Sequence, residues 1–393
     1  MLKNSKLFLL ITAIAILSLV VVGCGQSENT GSSSTDETIK IGFLGAKNGN
    51  HASFGIETLK GIKMAAEDIN AEGGVLGKKI EIVEGDHGSK TSEGSTVTQK
   101  LINKDKVVAI VGDPTTGITK VAANIAQGSK TVLLSAGAVG TGVVEIGDYI
   151  YRDTLPDAIA APAVMKYCKE ELGWDKVALV YSKNNDYSVG LADIFRNAMK
   201  EQGVEIVAEQ TIQDGDQNFA AQVTALKPHA PKGIVFTGYY TEGGLFMKEI
   251  RKQGMDIVMV GGDGLLSSKL WELGGKAVEG SMVYAGFAVD ENSASDKTKA
   301  FIEKYKANNN GKLPDMFSVQ GYDAVMLLAD AMKNANSADP TVFKDYLAKT
   351  KNWEGVSGTI TFREDRECIK NPVYLQEVKN QNWTVKAAIP ATE

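Results

Sequence analysis

At 393 residues and a formal net charge of -6, the chain has room for two domains and carries the wrong sign for a nucleic-acid partner. Its three histidines, His51, His87 and His229, lie far apart without ligand spacing, so no zinc site is expected. No nucleophile–base pair or metal cluster marks an enzyme, and no cofactor is expected.

The chain opens as an export signal. Lys3 and Lys6 precede an apolar stretch, Leu7 to Val22, of about 16 residues, shorter than the roughly 20 that span a bilayer. The stretch ends at Val21-Val22-Gly23-Cys24, which resembles a bacterial lipobox, where the cysteine is acylated and the peptide is cut just before it. An ordinary cleaved signal or a signal anchor is the alternative. Residues 1–23 are then a signal peptide and 24–37 a lipidated tether. Gly25 to Glu37 is too poor in apolar residues to fold. Cleavage removes Lys3 and Lys6 and takes the charge from -6 to -8. The expected location is the outer side of the cell membrane, held by lipid, since acyl chains used together anchor far better than one. Of the remaining cysteines, Cys168 and Cys368 either pair or stay as two buried thiols.

From Thr38 onward, β-branched runs alternate with amphipathic ones. TIKIGFLGA reads as a strand. GIETLKGIKMAAEDINAEGG reads as a helix with Ile56, Leu59, Ile62, Met64, Ala65 and Ile69 largely on one face, stopped by Gly73-Gly74. KKIEIVEGD is the next strand, followed by a helix over SEGSTVTQKLINKD. VVAIVGD, TVLLSAG, KVALVYS, EIVAEQTI, GIVFTGY and IVMVGGD follow as strands, most of them separated by helical patterns. Continuous apolar runs such as Val107 to Val111 suit parallel strands covered on both faces. This βα alternation predicts two doubly wound α/β lobes. The series pauses at DYIYRDTLPDAIAAPAVMKY, so the chain is expected to cross between lobes near Arg152–Asp157. Further crossings are expected near Gly280–Val289 and between Asn352 and Thr361, giving a three-segment hinge. The lobes are then 38–154 with 284–352, and 155–283 with 353–393.

Ligands in open α/β sheets bind beyond the carboxyl ends of strands. After Val111 comes GDPTTGIT, where Thr115 and Thr116 stand at a helix start. That is an anion site or a plain N-cap, and both can hold in one loop. After Leu134 comes SAGAVGTG, whose small residues let the backbone near Gly137 and Val139 approach a ligand; it is no GxxxxGK[ST] phosphate loop. After Val260 comes GGDG, with Asp263 at a strand end. It is an exposed turn residue or a buried acid that needs a cation. Phe54, Tyr187, Tyr239 and Tyr240 fall at similar places and serve either a ligand or the core.

Together, GFLGAKNGNHASFGIETLKGIKMAAEDINAEGGVLGKKIEIV, VVAIVGDPTTG, LLSAGAVG, VALVYSKNNDYSVGL, GIVFTGYYTEGGLFMKEIRKQGM and GGDG resemble the branched-chain amino-acid binding family of ABC-transporter receptors. These are type I periplasmic binding proteins of the Leu/Ile/Val kind. The resemblance runs from Ile39 nearly to the C-terminus. It implies that Thr116 and the backbone of Gly137, Ala138 and Val139 grip a ligand carboxylate, and that Asp263 meets its ammonium. It also implies that Phe54, Tyr187 and Tyr239 line the site. Val139 departs from the family's threonine, so one hydroxyl is missing unless Thr141 replaces it; Asp263 is shorter than the usual glutamate. Tyr322 in QGYDAV matches a later motif. The implied function is capture of an amino acid, branched-chain or otherwise aliphatic, by hinge closure, and delivery to an ABC permease. A sensing receptor, or a binder of an amide or small peptide, is the alternative. A monomer is expected.

Overall fold

The computed structural model describes residues 38–290 and 294–391; the signal segment, Cys24 and the tether lie outside them. The apolar runs read from the sequence become short strands buried on both faces. The first part of the chain forms β1 (Ile39–Gly45), α1 (Ala52–Ala71), β2 (Ile80–Asp86), α2 (Thr91–Gln99), β3 (Ala109–Gly112), α3 (Thr116–Gly128), β4 (Val132–Ser135) and β5 (Ile150–Arg152). These strands are all parallel, in the order β2-β1-β3-β4-β5.

The chain then forms α4 (Asp157–Glu171), β6 (Lys176–Ser182), α5 (Asp186–Gln202), β7 (Glu205–Ile212), α6 (Ala220–Leu226), β8 (Gly233–Phe236), α7 (Tyr240–Lys252), β9 (Met259–Gly261), α8 (Lys269–Gly274) and β10 (Met282–Ala285). It turns back through α9 (Asp296–Asn308), α10 (Met316–Ala335) and α11 (Pro340–Leu347), and a small antiparallel sheet of β11 (Trp353–Gly355), β12 (Gly358–Phe362) and β13 (Cys368–Ile369). It ends in β14 (Val373–Val378) and β15 (Trp383–Ile389). The second large sheet runs β15-β14-β10-β9-β8-β6-β7, with β14 alone reversed, antiparallel to both β10 and β15. Its parallel part repeats the winding of the first sheet. Both lobes therefore have a switch point, between β1 and β3 and between β6 and β8, where the strand order reverses and loops diverge to leave a crevice.

Strand pairing dates the crossings. Residues 153–156 lead from β5 to α4, which packs on β10 and β14. Residues 286–290 lead back from β10. The return to the second sheet comes at Val373, later than the Asn352–Thr361 stretch expected from the sequence. Residues 353–369 stay with the first lobe: Asp323 of α10 accepts the Val356 and Ser357 N–H groups at 2.8 Å each, and the Phe362 ring packs on Tyr151 at 5.6 Å.

Helix α1 starts earlier than its pattern suggested, and its buried stripe runs through Phe54, Thr58, Gly61, Ile62, Ala65 and Ile69. Ile56 is 40% exposed, because a residue two positions beyond Phe54 points to the far side of the helix. Cys168 in α4 and Cys368 in β13 are both buried and free, and burial pushes each thiol up to about 12. Helices α1 and α10 pack closely over glycines. A Cβ on Gly61 would lie 1.8 Å from the Ser318 carbonyl oxygen, and one on Gly321 would lie 2.3 Å from that of Thr58. Replacing Gly61→Ala should force the helices apart and lower the unfolding free energy by about 1–3 kcal/mol in urea titrations. Gly128→Ala, at the open end of α3, should be neutral or stabilising by the same measurement, since a Cβ there meets nothing within 4 Å.

Candidate ligand-binding site

The loops at the two switch points face each other. From the first lobe come the segment after β1 and the loops after β3 and β4; from the second come the loops after β6, β8 and β9. They touch directly. The Ser53 N–H donates to the Tyr240 hydroxyl at 3.3 Å, and the Ser53 and Ser267 hydroxyls lie 2.7 Å apart. Aromatic rings fill the junction. Phe54 stands edge-on to Tyr239 and Tyr240 at 5.8 and 4.9 Å, and Tyr187 stacks on Tyr239 at 5.2 Å. The open choice between core and cleft for these aromatics thus has a single outcome: they are buried, at the junction of the lobes.

On the first lobe, Asp113 organises the donors. Its carboxylate accepts the Thr115 N–H at 2.7 Å and the Thr115 hydroxyl at 2.5 Å, and its other oxygen lies 2.5 Å from His87 Nε2. Thr115 is the N-cap residue of α3, yet its side chain makes no cap bond. Thr116 instead accepts the Gly140 N–H at 3.1 Å, which fixes the β4 loop against the helix start. The plain N-cap reading therefore fails, and the first N–H groups of α3 keep their positive end. In the β4 loop, Ser135 accepts the Ala138 N–H at 3.0 Å and Asp157 donates its N–H to the Val139 carbonyl at 3.0 Å. The N–H groups of Gly137 and Val139 donate to no protein acceptor among the described residues. Gly137 has φ 149°, and a Cβ there would come within 3.0 Å of Pro114 and 3.1 Å of the Phe317 ring.

On the second lobe, Asp263 is 4% exposed. Burial, and then the charge of Asp157, push its carboxyl well above the usual carboxylate range, against the Tyr187 hydroxyl, the Gly264 N–H and Arg152. It is no exposed turn residue. Glycines on either side permit this packing: a Cβ on Gly262 would sit 2.5 Å from the Tyr187 hydroxyl, and one on Gly264 would lie 2.8 Å from its ring. Asp157 accepts the Tyr284 hydroxyl at 2.7 Å on one oxygen and leaves the other buried without a partner. Burial pushes its carboxyl up to about 7.

Phe54, Thr116, Gly137, Ala138, Val139, Tyr187, Tyr239 and Asp263 thus form one contiguous group, linked through Asp157 and Phe317, the latter 4.6 Å from Phe54. Thr141 is exposed, and the buried Val139 side chain leaves that face without a hydroxyl. Tyr322 lies elsewhere, bonded to Asp68 at 3.0 Å. Sequence reasoning missed four participants. His51 packs 4.4 Å from Tyr239, with a buried Nδ1 that has no partner, and burial holds its imidazole below the ordinary range. Arg152 donates to the Ala138 and Gly140 carbonyls at 2.9 and 2.6 Å. Asp157 and Phe317 complete the set. Only the position of Arg152 and Asp157 at a lobe crossing could have pointed to them.

The family model for periplasmic binding proteins matches residues 38–382. The chain belongs to the periplasmic binding protein family. Its fold is that of a leucine-binding protein from Thermotoga maritima, 31% identical with a TM-score of 0.86 over 90% of this chain and 99% of that one. A branched-chain amino-acid transporter substrate-binding protein from Streptococcus pneumoniae, solved with isoleucine, is 35% identical with a TM-score of 0.84 and the same coverage. A leucine-, isoleucine-, valine-, threonine- and alanine-binding protein of Pseudomonas aeruginosa is 27% identical over 84% of this chain and 86% of its own length. The family places the folded part outside the cytoplasm.

An acid whose pKa is raised on folding holds its proton more tightly folded than unfolded, so stability is lost as pH rises from the unfolded value toward the folded one. For Asp157 that window runs from 3.8 to about 7. Asp157→Asn should therefore gain stability relative to the parent protein as pH climbs through this window and level off above it, read from urea midpoints across pH.

Proposed function

We propose that the protein is the solute-binding component of an ABC importer, tethered by lipid outside the membrane, that captures an aliphatic amino acid, branched-chain by preference, between its lobes without transforming it. The observation that carries this reading is the opposition of a buried carboxylate, Asp263, to a face of amide donors at Gly137 and Val139 beside the start of α3. An amino acid carries both complementary charges on one carbon. Its carboxylate would meet the amides and the helix start, its ammonium would meet Asp263, and its side chain would lie against Phe54, Tyr187 and Tyr239. Each lobe supplies one pole, so a ligand touching both favours closure through differential contact. The relatives solved or named with leucine, isoleucine and valine support the same class of ligand.

Removing one partner of a buried ion pair costs about 3–5 kcal/mol, so Asp263→Ala should weaken leucine binding at least about 100-fold in calorimetry. The circular dichroism of the variant should match the parent's. Unchanged affinity would sink the assignment of the ammonium partner. The raised pKa of Asp263 adds a sign. An ammonium favours the ionised carboxylate, so binding should weaken as pH falls, with proton release growing in the same direction, seen by calorimetry in buffers of different ionisation enthalpy. Cys24→Ala should move the protein from the membrane fraction to the soluble one; retention there would remove the lipid anchor.

A further inference from the structure

A cavity of about 460 Å³ opens between the lobes, with Ser53 and Ser267 in its wall. Phe54, Thr116, Tyr187, Tyr239 and Asp263 do not line it. The second lobe contributes Trp271 of α8 and Trp383 of β15, which meet edge to face at 5.5 Å. The first lobe contributes Asp315 and Met316 at the start of α10, and Glu57 of α1. We propose that this cavity is a second ligand site, selective for a small organic ammonium ion with an apolar body.

The charges decide the class of ligand. Glu57 is already matched: it accepts Lys60 Nζ at 2.7 Å and the Tyr305 hydroxyl. Asp315 is not. It caps α10, accepting the Ser318 N–H at 3.0 Å with the Ser318 hydroxyl beside it, and Lys60 acts on it from a distance, but among the described residues no cation forms an ion pair with it. Burial, and then the charge of Glu57, raise its carboxyl to about 7, so an arriving cation would be welcomed electrostatically. Lys312 lines the exposed rim, where its charge reaches Glu272 of α8. Across from Asp315, the two indoles offer apolar cover and cation–π faces. The volume falls in the range of small-molecule sites, about 300–1,000 Å³. Because its walls come from both lobes, an occupant would hold the lobes together. Occupancy should then tighten amino-acid binding, and the effect must be reciprocal. This coupling rests on the proposed function; binding of the ammonium does not.

Phenethylammonium chloride is the probe, with 2-phenylethanol as its neutral counterpart. In tryptophan fluorescence and calorimetry the amine should bind saturably, at about 1 mM or tighter, and the alcohol at least about tenfold more weakly. Asp315→Asn keeps an N-cap for α10 and should weaken the amine at least about tenfold. Saturating leucine should strengthen amine binding. No saturable binding up to about 10 mM, equal binding of the alcohol, or an unaffected Asn variant would each overturn the proposal. Competition by leucine would overturn it too, by placing the amine in the first site. If leucine fails to bind at all, the proposed function falls while the amine titration still reads out this cavity.

Discussion

Arg152 is the largest fully buried side chain among the described residues, and the arrangement of the site follows from satisfying it. A guanidinium brings five N–H donors and cannot shed its charge. Two of those donors go to Glu367 in the segment before β13, and two to the Ala138 and Gly140 carbonyls. One residue at the end of β5 therefore fixes the β4 loop and binds the small third sheet to the first lobe. With its carbonyls turned toward Arg152 and Asp157, that loop presents the N–H groups of Gly137 and Val139 the other way. The donor face is a by-product of charge satisfaction at the crossing between lobes.

The acid face has the opposite logic. Asp157 and Asp263 share a buried environment of tyrosines; burial raises both carboxyls, and the charge of Asp157 raises that of Asp263 further. Arg152 acts on both, but it is already engaged by Glu367. A pair of buried acids with one committed cation nearby is costly as it stands. The cost falls when a mobile cation enters, which makes the same residues a poor core and a good receptor. The aromatic rings add to this by excluding water, so the charge of an ammonium is screened less there than at the surface.

Much of the fold was legible because parallel strands buried on both faces announce themselves as apolar runs. KVALVYS coincides with β6 and the start of GIVFTGY with β8, both buried almost throughout, while EIVAEQTI coincides with β7, a largely uncovered edge strand. What stayed hidden was short or mixed. β5 is only Ile150–Arg152 and ends in a charged residue, so IYR reads as part of a crossing. The third sheet is built from strands of two to five residues that pair only because α10 and Tyr151 support them. The strand-end motifs that carry Thr116, Gly137 and Asp263 do fall beyond the carboxyl ends of β3, β4 and β9, where the winding of each sheet leaves its crevice. Nothing comparable marks His51 or Phe317. The first is a polar residue in a loop, and the second one apolar residue in a helix buried nearly all round. Only tertiary packing brings them to the rings.

The contact between the lobes is modest where it does not involve rings. Ser53 bonds Tyr240 and Ser267, hydrogen bonds of a kind that contribute about 1 kcal/mol each, and Lys120 of α3 stands 3.8 Å from Asp186 of α5, a largely exposed pair of little weight. Phe54 adds edge contacts to Tyr239 and Tyr240, worth about 0.5–1.5 kcal/mol apiece beyond burial. A few kcal/mol of closure energy is the regime in which a ligand can reverse the populations of two states. Were the junction a large apolar interface, the lobes would stay shut with or without solute and the chain could not report capture. The hinge strands carry the permanent connection, and the cleft is left with contacts weak enough for a bound solute to outweigh.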